Sequence, residues 1–89
     1  MTESSGLRLD LFLKMSRLIK RRSIAKEICD GGRVRINGRL AKASSEIHVG
    51  DLVEIDLRER CLRARVERLP KRVEGPEGIV QFMTEGEIS

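Results

Sequence analysis

The sequence predicts an α+β fold: two short helices packed on a small, strongly twisted antiparallel sheet, with a flexible C-terminal tail. Three observations carry this. Residues 9–16 and 24–29 place apolar side chains at helical spacing. Residues 33–36, 52–57 and 62–66 alternate polar and apolar, as half-buried strands do. Asn37-Gly38 and Val49-Gly50-Asp51 are turn signals standing between those strands.

The first helix is expected near Asp10, whose carboxylate suits a helix N-terminus as a cap or an orienting group. Leu9, Phe12, Leu13 and Ser16 fall at i, i+3, i+4 and i+7 and form its core stripe, while Lys14 and Arg17 fall off it. Leu18 and Ile19 are apolar in a basic connection and plug the angle between helices. Ser23 reads as the N-cap of the second helix, with Ile24, Ala25, Ile28 and Cys29 on its buried side. Gly31-Gly32 end it in the left-handed conformation that glycine tolerates.

Val34 and Ile36 should point inward, and Arg33 and Arg35 outward. Two hairpin registers fit Asn37-Gly38. A two-residue loop sets Ile36 opposite Arg39, and a three-residue loop sets it opposite Leu40, which suits a core better and is the expected register. Val53, Ile55 and Leu57 share one face of the next strand. Arg58-Glu59-Arg60 reads as a polar loop, and Leu62, Ala64 and Val66 as the inner face of a last strand that Pro70 ends. Beyond it the glycines and Pro76 suggest a loose tail, in which 79–83 is apolar enough to dock or to form a short element. The domain division is therefore a disordered lead-in at 1–7, a folded unit at 8–69 and a tail at 70–89.

At 89 residues the chain makes one small domain with little room for an enclosed active site. Aromatics are 2% of it, Phe12 and Phe82 alone, so stacking platforms for unpaired bases are not expected. Charge is unevenly spread. Residues 8–42 hold eleven basic and three acidic side chains, 11 − 3 = +8, whereas 43–89 hold seven and ten, 7 − 10 = −3. Lys14, Arg17, Lys20, Arg21, Arg22 and Lys26 follow one another with no acidic residue between. Ordinary solvated faces mix signs, so this run points to a polyanion, nucleic acid before an acidic membrane. Arg21 and Arg22 sit at the start of the second helix, where free N–H groups and the dipole also favour phosphate.

Two cysteines without metal-type spacing suggest a reducing compartment. His48 has no cluster of ligands or base partners around it in sequence, so neither metal binding nor catalysis is expected of it. Asp51, Glu54 and Asp56 read as a polar strand face. No cofactor is expected. The polar start, 1–6, lacks the apolar core of a secretory leader, and no apolar run approaches the roughly 20 residues that span a bilayer. The expected location is cytoplasmic.

Arg8-Leu9-Asp10, Leu13, Arg22-Ser23, Ala25, Ile28, Gly32, Val34, Ile36-Asn37-Gly38 and Val49-Gly50-Asp51 together resemble the S4 RNA-binding domain, over residues 8 to about 55. Within that family the chain is similar to short stand-alone bacterial members, related to a small heat-shock protein that binds the large ribosomal subunit. The resemblance implies a non-enzymatic, monomeric RNA-binding protein in ribosome-associated quality control. Its implied partners are large-subunit rRNA, P-site or peptidyl-tRNA and a partner protein that directs alanine tailing, with no membrane. It also implies that Arg8 and Arg22 contact RNA. With the basic run and the outward strand residues, the expected RNA-binding set is Arg8, Lys14, Arg17, Lys20, Arg21, Arg22, Lys26, Arg33, Arg35 and Lys42. Large-subunit recycling after heat stress, or ribosome assembly, is the alternative role. A helix-turn-helix DNA regulator is a weaker one, since the second helix exposes little beyond Lys26, Glu27 and Asp30 for reading bases. An RNA-modifying enzyme has no supporting constellation.

Overall fold

A computed structural model describes residues 6–58 and 61–82. The elements run β1 (Leu7–Arg8), α1 (Leu9–Met15), α2 (Arg22–Asp30), β2 (Val34–Ile36), β3 (Arg39–Leu40), β4 (Glu46–Ile47), β5 (Leu52–Asp56), β6 (Cys61–Val66) and β7 (Val80–Phe82). Five strands form one antiparallel sheet in the order β3-β2-β5-β6-β7, and β1 pairs antiparallel with β4 beside it. The two helices share one core with the inner face of the sheet.

That core follows from the two periodicities. Leu9, Phe12, Leu13 and Ser16 are all fully buried, as the stripe requires. Ala25 and Cys29 come in from α2, Ile19 from the connection, and Val34, Val53, Ile55, Ala64, Val66 and Val80 from the sheet. Burial, together with the Asp10 and Asp30 carboxylates, pushes the Cys29 thiol up to about 12, so it behaves as a small apolar filler. Cys61, by contrast, is exposed.

The start of α1 is capped by backbone. Leu9 N–H donates to Ser45 O at 2.7 Å and Asp10 N–H to Ala43 O at 3.2 Å. These bonds satisfy N–H groups that a helix start leaves orphaned, and Asp10 makes no capping bond. The capping role expected of Asp10 is thereby corrected. Ser23 is likewise not a cap. Helix α2 begins two residues earlier than that cap would place it, at Arg22, with Arg21 in the cap position and no side-chain cap. Ile24, expected on the buried side, is instead exposed, at 42%. At its other end Gly31 keeps an ordinary φ of −82° and Gly32 alone is left-handed, at +78°.

The hairpin takes the other register: Ile36 faces Arg39 and Arg35 faces Leu40. Asn37 and Gly38 have φ of +54° and +85°, the pair of positive values that a two-residue type I′ turn needs. Asn37 is fastened further, its Nδ2 donating to Asp51 Oδ1 at 3.0 Å and its Oδ1 accepting Leu52 N–H at 2.9 Å. Turn chemistry therefore outweighs the burial of one leucine on a short edge strand, and Leu40 stays 64% exposed.

Strand β6 stops at Val66, four residues before Pro70. The described part of the expected tail does not hang free. Ile79 is fully buried, and β7 extends the sheet with Val80 facing Val66 and Phe82 facing Ala64. The docking option for 79–83 is the one the chain takes through Phe82. Leu7, assigned to the lead-in, is in β1 opposite Ile47. Residues 1–5 and 83–89, and Glu59 and Arg60 of the expected loop, lie outside the described residues.

Candidate nucleic-acid interface

The ten basic residues expected to touch RNA fall into three groups. The first is a clasp. Asp10, 2% exposed, lies between Arg8 and Arg22. Arg8 Nε donates to its Oδ1 at 3.2 Å and Nη2 to Oδ2 at 3.4 Å, and Arg22 Nε donates to Oδ2 at 3.3 Å. Burial alone would raise the carboxyl's pKa. The hydrogen bonds and charges of the two guanidiniums outweigh that and hold it below the usual carboxylate range. One carboxylate thus orients two arginines that are fourteen residues apart in sequence.

Such pairing would abolish the site if it consumed the arginines. It does not. Each side chain remains about half exposed, 49% for Arg8 and 48% for Arg22. A guanidinium offers five N–H donors, and the clasp draws on two from Arg8 and one from Arg22. Two cations around one anion leave a net positive charge with donors to spare. The negative oxygens stay inside, where they do not meet an incoming phosphate.

The second group lines the corner between the helices. Lys14, Arg17, Lys20 and Arg21 line a shallow groove of about 440 Å³ together with Val73. Among the described residues no ion pair is found for these four cations. Arg17 has φ of +62° at the end of α1. For a residue other than glycine that left-handed conformation costs about 1–2 kcal/mol, and it is set here by the bonds of the corner: Arg17 N–H donates to Lys14 O and Ile19 N–H to Leu13 O. Helices commonly end in a left-handed residue just past the cap, and here that residue is an arginine. Lys26 is exposed one helical turn beyond Arg22. Lys42 is exposed in the loop whose carbonyls cap α1, its own N–H held by Ser45 Oγ at 2.9 Å.

Arg33 and Arg35 form the third group, and the structure does not bring them to the corner. Arg35 is on the face of β2 opposite Val34, away from the helices. With Arg33 it lines a separate groove of about 420 Å³ that also holds Glu54, Asp56, Arg58 and Cys61. The basic pole expected from the charge of the two chain halves is therefore blurred on the sheet side. β2 is paired with β5, so arginines of the first half stand beside acids of the second.

His48 lies between Glu46 and Asp51 in the β4–β5 turn, its Nε2 3.4 Å from Glu46 Oε1. Among the described residues no group of three or more His, Cys, Asp or Glu side chains is placed to hold a metal, and no helix is long and apolar enough to cross a membrane. Sequence reasoning missed Val73 and the segment around it, because glycine and proline content made the tail read as loose.

Two short helices meeting at a cationic corner over an antiparallel sheet define an S4 domain, and the model of that family matches residues 7–53. The chain belongs to the S4 domain family. Over 84 residues it is 39% identical to a protein of Streptococcus pneumoniae named RQC P-site tRNA stabilizing factor, covering 92% of this chain and 96% of that one. The protein of the same name from Bacillus subtilis is 49% identical over 63 residues, 71% of this chain and 73% of the other. Heat shock protein 15 of Vibrio cholerae, solved as a trimer, superposes with a TM-score of 0.82 over 94% of this chain and 88% of its own. At 23% identity that likeness speaks for the fold alone.

Proposed function

We propose that this protein is a non-enzymatic RNA-binding factor of the large ribosomal subunit. In this reading it holds P-site or peptidyl-tRNA and adjacent rRNA during ribosome-associated quality control, in the cytoplasm. There it supports the partner that adds alanine to stalled nascent chains. The relatives' name, with 39% and 49% identity, supports a tRNA-stabilising role at the ribosome. The observation that carries the reading is the clasp and corner taken together: Arg8 and Arg22 aimed by a buried Asp10, next to four cations that have no ion pair among the described residues.

Structured RNA presents phosphate and shape more than readable base edges, and this surface is suited to that. It offers cations on two short helices, on the connection between them and on β1, and no aromatic platform. Residues 8–69 would form the binding unit, steadied by β7.

Co-sedimentation with large subunits carrying trapped peptidyl-tRNA tests the reading. The parent protein should pellet with them, and Arg8→Ala and Arg22→Ala should each reduce association without unfolding the domain. Undiminished pelleting of both variants would contradict it. Competition of tRNA against duplex DNA separates this function from a DNA regulator: tRNA should displace bound RNA at far lower concentration.

A further inference from the structure

The corner groove has a second wall, and it comes from outside the segment that matches the S4 family. Val73 lines the same groove of about 440 Å³ as Lys14, Arg17, Lys20 and Arg21, whereas the family match ends at residue 53. Three hydrogen bonds hold the wall in place. Glu74 N–H donates to Met15 O, at the end of α1, at 2.7 Å. Arg68 grips the Glu74 carboxylate with both ends of its fork, Nη2 to Oε1 at 2.8 Å and Nη1 to Oε2 at 3.4 Å.

This strap, residues 68–74, carries Arg68, Lys71 and Arg72 against Glu74 alone, 3 − 1 = +2. Its one carboxylate is neutralised by Arg68, which with help from Arg72 keeps it ionised below the usual range. The strap is therefore net positive, and it lends the groove one side chain, the apolar Val73, which is 43% exposed.

We infer that the groove between strap and helical corner holds a single nucleotide of the bound RNA, its phosphate on the four cations and its sugar or base edge on Val73. The volume lies within the range of small-ligand clefts, about 300–1,000 Å³. Four cations around so small a space suit a polyanion that carries a charge on every unit, and beside the proposed RNA-binding clasp the phosphates of the RNA backbone are that polyanion. The inference rests on the RNA-binding reading above and adds to it a wall that makes the C-terminal segment part of the site.

The test uses fluorescence anisotropy of the full chain with labelled unfractionated tRNA, comparing opposite charges at one position. Val73→Asp should weaken binding about tenfold and Val73→Lys should tighten it about threefold, because a charge placed beside a bound phosphate changes its counterion balance. Leu40→Asp and Leu40→Lys, at an exposed hairpin position that does not line the groove, make the same changes in net charge and should move affinity less than about twofold. Equal responses at positions 73 and 40, or none at 73, would overturn the inference. So would a poly-glutamate probe that responds to the Val73 pair as strongly as tRNA does. Arg22→Ala separates the two levels. If it weakens tRNA binding while the Val73 pair does not matter, the strap inference falls and the RNA-binding reading stands. If neither position matters, both fall. Matching thermal midpoints establish that every variant is folded.

Discussion

Asp10 carries more of this site than its chemistry alone suggests. A carboxylate repels phosphate, yet buried between Arg8 and Arg22 it sets the direction of both. Replacing it with Asn should lower stability by about 2 kcal/mol, the scale for hydrogen bonds to a charged group, and should weaken RNA binding even though a negative charge has gone. Its pKa is lowered in the folded state, so the clasp's contribution is fully present above the ordinary value of 3.8 and is lost as pH falls through the depressed one. Chemical denaturation across pH should therefore show a constant gap between parent and Asp10→Asn near neutrality, closing below 3.8. A gap that stays undiminished at the lowest pH the fold survives would contradict the clasp. Arg17 offers the opposite signature. Glycine adopts its left-handed φ without strain, so Arg17→Gly should be neutral to about 1 kcal/mol stabilising while weakening tRNA binding. That split between stability and affinity would show that the side chain at this position serves the ligand rather than the fold. The Arg8-Leu9-Asp10 and Arg22 positions were legible in the sequence, because the family resemblance and the unbroken basic run agree on them. The clasp was not, since nothing in the spacing of residues 8, 10 and 22 says that one carboxylate lies between two guanidiniums.

Legibility at the scale of elements depended on how local the deciding physics was. The α1 stripe, the inner faces of β5 and β6, and the Asn37-Gly38 turn are written in short-range pattern and turn chemistry, and they fold as expected. The hairpin register was misjudged because burying Leu40 was weighed above the intrinsic geometry of an Asn-Gly pair, and on an edge strand the turn wins. The β7 strand was left open because its partner, β6, is reached only by a loop of irregular chain, and composition alone reads such a loop as slack. Its role in stability can be measured. Ile79→Ala should cost about 2–4 kcal/mol in urea unfolding, as for other large-to-small changes in a core, whereas a loose tail would show no change. Thiol labelling gives an independent view of the same core. One thiol per chain, Cys61, should react with a small reagent under native conditions and both in denaturant. Fast native labelling of Cys29 would mean that α2 does not pack on the sheet as described.

For the molecule as a whole, charge along the chain proved a partial guide to charge in space. The excess of +8 over residues 8–42 concentrates correctly at the helical corner, where a connection between two short helices gathers Lys14, Arg17, Lys20 and Arg21. It fails on the sheet, where antiparallel pairing interleaves the two halves and sets Arg33 and Arg35 beside Glu54 and Asp56. The helical corner is thus the face on which association should depend most on salt. The measurement that tests this most directly is the salt dependence of binding to large subunits that carry peptidyl-tRNA. It compares the parent protein with a variant in which Lys14, Lys20 and Arg21 are all replaced by Gln. Each neutralised phosphate contributes about 0.7–0.9 to the slope of log affinity against log salt, so the variant should bind more weakly and with a slope shallower by about 2–3. Parallel lines of equal slope for the two proteins would show that these cations meet no phosphate, and that the corner is not the RNA-binding face.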